Sequence, residues 1–155
     1  HVHLAGRGAR MEALIRAFLA ESGLETSVTL HGFLPREDVL RLLRSCQIAI
    51  APTVWPEPFG RTPLEAGLAR RPTVAFAHGG LSESIIDGET GLLAEPGDYD
   101  ALLARLDALF EDPDRRLAMG DAAALHIVRS FSAKTSAEML SALLLGPDTG
   151  AGRAT

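Results

Sequence analysis

Hydrophobic residues along the chain switch between strand-like and helix-like spacing. Short apolar runs with branched residues predict five strands, at Val2–Gly6, Ser27–Gly32, Gln47–Pro52, Thr73–Ala77 and Gly91–Glu95. Apolar residues recurring every three or four positions predict helices at Ala9–Ser22 and Arg36–Cys46, another near Thr62, and a helical turn at Ser82–Gly88. From Asp98 onward the pattern is wholly helical: Pro113 restarts a helix, and Ser132 caps another that ends near Leu145.

Strands that alternate with helices favour a parallel sheet covered on both faces. We therefore predict an α/β fold in one domain over residues 1–145, ending in C-terminal helices, with a flexible tail at 146–155. Parallel sheets of this kind bind ligands beyond the carboxyl ends of their strands. The loops to inspect are therefore 6–9, 32–35, 52–62 and 77–82.

Composition narrows the functional class. With 15 basic and 20 acidic residues the formal charge is −5, which gives no general attraction to nucleic acid or anionic lipid. The single cysteine, Cys46, cannot form an internal disulfide, and no apolar run approaches a membrane span or a signal peptide. We expect a cytoplasmic protein. Because the chain begins at His1 within a strand pattern, we also expect it to be a piece of a longer protein.

The loop after the first strand reads "AGRGAR" and contains Gly6 and Gly8. A G-x-G turn after a strand can bring backbone amides close to a phosphate. The third glycine of the dinucleotide fingerprint is missing, since Met11 occupies its position. A tight strand-to-helix turn explains this loop about as well as a phosphate site, and a NAD-dependent dehydrogenase is disfavoured.

Two glutamates flank the turn in "PEPFGRTPLEAG", residues 56–67. Thr62, Pro63 and Glu65 fit the N-cap, N1 and N3 positions of a capping box, so a structural role accounts for Glu65. Glu57 lies between two prolines that stiffen a loop, and no helix explains it. Carboxylates accept hydrogen bonds from hydroxyls, and free amides at a helix start donate to anions. A sugar nucleotide would use both.

The run "EPFGRTPLE" resembles the E-x7-E motif of the GT-B glycosyltransferases of family 4. The similarity continues in register through "ARRPTVAFAHGGLSESIIDGETGLLAEPGD", and "HGFLPREDVLRLLRSCQIAIAPT" matches the region before the motif. "FSAKTSAEM" resembles the C-terminal helices of the family, with Ala133 where an aromatic residue is usual. The resemblance covers about residues 2–145 and implies a Rossmann-like domain that forms the C-terminal half of a GT-B fold.

This resemblance also implies roles for individual residues. Glu57 matches the glutamate that faces the donor sugar and helps to stabilise the oxocarbenium charge, which makes it the catalytic candidate. Glu65 matches the residue that binds the ribose hydroxyls, a role compatible with capping. The turn that meets the sugar and phosphates comprises Phe59, Gly60, Arg61 and Thr62, with Gly6 and Gly8 beneath the diphosphate. The loop that frames the base comprises Gly32, Phe33 and Leu34.

Other candidates carry weaker signals. His78, Gly79 and Gly80 form a loop that could approach a phosphate, although a water-exposed histidine is the simpler interpretation. Glu83 matches an acid in the family pattern, but with Ser82 it could also start a short helix. The remaining histidines are not spaced as metal ligands, and these are His1, His3, His31 and His126. Trp55 is interpreted as a packing or rim residue.

Two parts of the family pattern are missing. The arginine and lysine that grip the diphosphate, and the strand that carries them, would lie before His1, as would the acceptor-binding domain. The resemblance therefore implies part of a retaining, metal-independent glycosyltransferase whose substrate is a nucleotide sugar such as a UDP- or GDP-sugar, with no cofactor. We expect this chain alone to be inactive and to bind donor weakly. Contact with a membrane through the missing domain is left open.

A second hypothesis comes from another functional class. The chain could be a non-catalytic Rossmann-like interaction module that has lost its partner domain. Both hypotheses share the fold, so the pattern of residues does not separate them. A preceding domain with the arginine and lysine pair would favour the enzyme.

Overall fold

The computed structural model describes residues 1–145, so the predicted tail at 146–155 lies outside the described residues. This part of the chain contains five strands and seven helices; strands and helices alternate until the last three helices, which follow one another. The strands are β1 (Val2–Ala5), β2 (Val28–Gly32), β3 (Ala49–Ala51), β4 (Thr73–Phe76) and β5 (Gly91–Ala94). The helices are α1 (Ala9–Ser22), α2 (Arg36–Ser45), α3 (Arg61–Leu68), α4 (Gly80–Ser84), α5 (Tyr99–Glu111), α6 (Pro113–Ser130) and α7 (Ala133–Leu145). These elements divide into a first unit, His1–Leu42, and a second unit that begins at Leu43.

In the first unit, β1 and β2 pair in parallel from Val2 opposite Val28. The register slips between Leu4 and Ala5, so that Ala5 lies opposite Gly32, a glycine with φ of 64°. The intervening helix α1 has the predicted bounds and ends at Gly23, whose left-handed conformation lets its N–H bond back to the last turn. This unit is therefore one strand–helix–strand segment followed by the start of α2.

In the second unit, three parallel strands lie in the order β3-β4-β5. The central strand, β4, is buried throughout, and its alternate residues serve two cores. Val74 and Phe76 pack with residues of α5 and α6, whereas Ala75 packs with Leu81 and Ile85 around α4. Helices thus cover both faces of this sheet, as predicted. The strands of the described residues form two parallel sheets, of two and three strands, and not the one sheet of five strands expected from the sequence.

The short helix α4 differs from its prediction. It begins at Gly80 instead of Ser82, and it ends at Ser84 instead of continuing to Gly88. It ends early because Ile85 is extended and the N–H of Ile86 bonds to the Thr90 hydroxyl at 2.8 Å instead of to a helical carbonyl. The later helices start as the sequence indicates: Asp98, Asp112 and Ser132 each accept a hydrogen bond from the N–H three residues on.

Arg70, just after α3, has a strained backbone conformation. It has φ of 57°, a left-handed conformation that costs a residue with a Cβ about 1–2 kcal/mol. Its ion pair with Asp121 is exposed at both side chains and adds little. We expect Arg70→Gly to raise the free energy of unfolding by about 1 kcal/mol in urea denaturation. Arg70→Ala is the control, since it keeps the strain and should give no gain.

Candidate functional site

The loop between β3 and α3 carries Glu57, and hydrogen bonds to its backbone hold it in place. His78 donates from Nε2 to the carbonyl oxygen of Thr53 at 2.6 Å, and the N–H of Gly80 donates to the carbonyl oxygen of Glu57 at 2.8 Å. The Thr53 hydroxyl bonds to both the N–H and the carbonyl oxygen of Trp55, each at 3.3 Å. The loop after β4 therefore fixes the loop before α3 at two points.

The glycine pair of the second loop allows this approach. A Cβ on Gly79 would lie 2.5 Å from the carbonyl oxygen of Glu57, and one on Gly80 would lie 2.6 Å from the backbone of Phe59. Gly79 also has φ of 55° and ψ of −147°, close to a region that almost only glycine occupies. Gly79 and Gly80 therefore have a role that the sequence did not indicate, because the absence of side chains at these positions lets the loop after β4 pack closely against the Glu57 loop.

Helix α3 begins at Arg61 with Gly60 as its N-cap, and no side chain caps it. The predicted capping box is therefore wrong: Thr62 is the second residue of the helix and is not its cap. Gly60 is the N-cap two residues before the predicted Thr62, because its φ of 69° makes the turn. A Cβ there would lie 2.7 Å from Cδ2 of Leu81. Helix geometry leaves the amides of Gly60, Arg61 and Thr62 without helical acceptors, and Pro63 has no N–H.

The Glu57 carboxylate lies at this helix start. Its oxygen Oε2 would be 3.6 Å from a Cβ on Gly60, and the residue is half-buried. A negative charge is favoured beside the N-terminal end of a helix. The arrangement places a carboxylate next to the first backbone amides of α3.

Glu65 lies one turn into α3, and its carboxylate bonds to the Arg61 side chain and does not cap a backbone N–H at the helix start. Arg61 Nη2 donates to Glu65 Oε1 at 2.7 Å, and the Glu65 side chain is only 16% exposed whereas that of Arg61 is 72% exposed. As the fifth residue of the helix, Glu65 is too far along to cap it. The bond to Arg61 uses one oxygen, and a carboxylate has further acceptor sites for a ligand hydroxyl.

Phe59 connects the site to α6 through aromatic contacts that the sequence did not indicate. Its ring meets the edge of Phe131 with centroids 6.0 Å apart, and Phe131 meets His126 at 5.6 Å. His126 bonds through Nδ1 to the Ser130 hydroxyl, and within the described residues its buried Nε2 has no partner. The segment "FSAKTSAEM" was matched only to the C-terminal helices of the family, which did not show that Phe131 packs against Phe59.

The expectation that His78 is exposed to water is wrong. The ring is half-buried, and its Nε2–H holds Thr53, so His78 positions the Glu57 loop. We expect His78→Ala to destabilise the protein by about 1 kcal/mol, because the Thr53 carbonyl loses its donor. His78→Gln keeps a donor on a side chain of similar reach and should recover part of the loss in thermal unfolding.

The first unit contains the other predicted binding residues. Gly6, Gly8 and Gly32 line a cleft of about 200 Å³ between β1, β2 and the start of α1, and the N–H of Gly6 bonds to the carbonyl oxygen of Gly32 at 2.8 Å. The Arg7 guanidinium lies 3.8 Å from the centre of the Phe33 ring, a cation–π contact. Arg7 was not predicted as a site residue, because the G-x-G pattern sets no requirement on the residue between its two glycines.

Leu34 and Glu83 are the remaining residues predicted for the site. Leu34 is half-buried, and Glu83 is exposed on α4. His3 Nδ1 and His31 Nε2 are 3.0 Å apart on the first two strands, and His1 bonds to the Thr29 hydroxyl. Within residues 1–145, no group of three or more histidine, cysteine or acidic side chains has the geometry to hold a metal ion. No helix in the described part of the chain is long and apolar enough to cross a membrane.

Comparison with known proteins identifies the family. A model of the family described as "Glycosyl transferases group 1" matches residues 1–126. The chain belongs to this family. It is 36% identical over 112 residues to a D-inositol 3-phosphate glycosyltransferase of Arthrobacter sp. (strain FB24), covering 72% of this chain and 26% of the relative. It is 30% identical over 147 residues to a glycogen synthase of Mycobacterium tuberculosis, covering 95% of this chain and 35% of the relative.

Solved structures of glycosyltransferases share the fold. The HepE protein of Anabaena, solved in complex with UDP-glucose, superposes with a TM-score of 0.82 at 26% identity, over 94% of this chain and 40% of that one. The sucrose-phosphate synthase of Thermosynechococcus elongatus gives a TM-score of 0.82 at 26% identity, over 92% of this chain and 37% of that one. The glycosyltransferase domain is thus a Rossmann-like GT-B C-terminal domain, as predicted. It spans about a quarter to a third of the length of these two curated relatives.

Proposed function

We propose that the second unit binds the donor of a retaining, metal-independent glycosyltransferase of family 4, which transfers a sugar from a nucleotide sugar to an acceptor. The observation that carries this proposal is the start of α3, where the Glu57 carboxylate lies beside Gly60 and the first amides of the helix lack helical acceptors. A nucleotide sugar presents hydroxyls and phosphates. The carboxylate can accept hydrogen bonds from the hydroxyls, and the amides can donate to the phosphates.

The proposal gives each of these residues a defined task. The amides of Gly60, Arg61 and Thr62 donate to the phosphates, and they stabilise the negative charge that grows on the leaving diphosphate. Glu57 accepts from the sugar hydroxyls and stabilises the positive charge that develops on the ring. Glu65 accepts from the ribose hydroxyls. Arg61, which is mostly exposed, keeps Glu65 oriented and adds positive charge near the phosphates.

The comparisons support the donor class. HepE was solved with UDP and glucose and with UDP-glucose, and the relatives named above are glycosyltransferases. We propose a UDP-sugar as the first donor to test, with no metal and no cofactor. The roles of Gly6, Gly8 and the loop 32–34 in binding the diphosphate and base stay predictions from the sequence. So does an N-terminal acceptor domain, without which we expect binding of the donor but no turnover.

Calorimetric titration tests the donor class. UDP-glucose, GDP-glucose and ADP-glucose are each added to the chain, with and without EDTA. We expect measurable heat with one nucleotide sugar, unchanged by EDTA. Equal, negligible heat with all three would overturn the proposal, and binding that EDTA abolishes would overturn its metal-independent form.

A further inference from the structure

Trp55 lies on the loop that carries Glu57, and its indole is left in water. The side chain is 69% exposed, and its neighbours Val54 and Phe59 are 59% and 52% exposed. Burying a side chain of this size ordinarily stabilises a protein by about 2 kcal/mol or more. The structure therefore does not support the interpretation of Trp55 as a packing residue.

The backbone beneath this indole is nevertheless fixed. The Thr53 hydroxyl bonds to both backbone groups of Trp55, and His78 holds Thr53. Pro52, Pro56 and Pro58 further restrict the loop. A fixed backbone that presents an exposed aromatic ring loses little conformational entropy when a ligand binds. These are the properties of a contact surface and not of a poorly packed loop.

We propose that Trp55 forms a sugar-ring subsite, in which the indole stacks against the apolar C–H face of a pyranose. This inference rests on the proposed function, since it assumes that the Glu57 loop handles carbohydrate. A pyranose has an apolar face and a rim of hydroxyls, so it needs an apolar surface with hydrogen-bonding groups at its edge. Trp55 supplies the surface and an indole N–H, and the Glu57 carboxylate lies two residues along the same fixed loop.

The pyranose could belong to the donor or to a carbohydrate acceptor, and the same stacking serves both. Trp55 is the only tryptophan in the chain, so intrinsic fluorescence reports this one position. Acrylamide quenching is measured alone, with UDP, with UDP-glucose and with maltotriose, using excitation at wavelengths that uridine does not absorb. We expect a sugar to shield the indole, shift its emission to shorter wavelength and lower the quenching constant about twofold or more, whereas UDP does neither.

The arms of this experiment identify the source of the sugar. Shielding by UDP-glucose assigns the ring to the donor, and shielding by maltotriose assigns it to an acceptor. No shielding by either sugar, while calorimetry detects UDP-glucose, overturns the subsite and leaves the proposed function standing. Shielding by maltotriose without any nucleotide binding overturns the proposed function and leaves the subsite standing.

Variants separate stacking from folding. We expect Trp55→Ala to weaken binding of the shielding sugar about tenfold, while the affinity for UDP is unchanged. Trp55→Phe keeps an aromatic face and should retain most of the affinity. Phe110→Ala removes a ring that is 57% exposed on α5 and should change neither affinity. Equal sugar affinity of the wild type and Trp55→Ala would contradict the proposal.

Discussion

Gly79→Ala is expected to lower the free energy of unfolding by about 3 kcal/mol or more. The new Cβ would lie 2.5 Å from the carbonyl oxygen of Glu57 and 3.2 Å from its nitrogen, so that backbone and not a flexible side chain must move. Positive φ at this position adds strain of about 1–3 kcal/mol for a residue with a Cβ. Urea denaturation measures the loss. Because the displaced atoms belong to Glu57, donor affinity should fall as well.

Gly88→Ala is the matched control for this substitution. Gly88 has φ of 79°, so alanine meets a similar backbone penalty, but a Cβ there has nothing within 4 Å. We expect a loss of only about 1 kcal/mol, with unchanged donor affinity. If both variants lose the same stability, the close packing of the two loops is not what Gly79 provides.

Glu65→Ala and Glu57→Ala should each weaken the binding of a different half of the donor. Loss of Glu65 is expected to reduce the affinity for both UDP and UDP-glucose about 10- to 100-fold, because a charged acceptor for ribose hydroxyls disappears. Loss of Glu57 should lower the affinity for UDP-glucose by a similar factor and leave the affinity for UDP almost unchanged, because only the sugar contacts Glu57 in our proposal. Calorimetry with both ligands on both variants measures the four changes.

Glu138→Ala controls for the loss of a helical ion pair. Glu138 follows Lys134 by four residues on α7, as Glu65 follows Arg61 on α3, but it lies far along the sequence from the donor loop. It should leave both affinities unchanged. Identical effects of the Glu57 and Glu65 substitutions on the two ligands would contradict the assignment of one glutamate to the sugar and the other to the ribose.

The sequence predicted most of the fold because its elements are encoded locally. Apolar spacing located α1 at its observed bounds, and the start signals at Asp98, Pro113 and Ser132 were confirmed by the structure. The short helix α4 was misplaced, because its limits depend on Gly80 packing against Phe59 and on the Thr90 hydroxyl bonding Ile86. These contacts join separate segments, and local periodicity carries no record of them.

The candidate site also combines residues that local sequence revealed with residues that depend on contacts between distant segments. In the proposed donor site, Glu57 and Gly60 were singled out from the loop sequence itself, whereas the ribose role of Glu65 was implied only by the resemblance to the family. The residues that support them were missed or misread. His78 was expected to be exposed to water, and Phe131 was given no role. Their contacts, with Thr53 and Phe59 respectively, join residues that are far apart in the sequence. The predicted capping box was wrong because the helix begins at Arg61, one residue before the predicted cap Thr62, with Gly60 as its N-cap.

The most direct test of the central claim is an amide chemical-shift map of the chain during titration with UDP-glucose, which detects weak binding. If the start of α3 binds the donor, the amides of Glu57, Gly60, Arg61 and Thr62 should shift together and saturate at one affinity. The Glu65→Ala variant should show the same shifts at higher ligand concentration. The claim would be contradicted if these four amides did not shift at ligand concentrations where calorimetry detects binding.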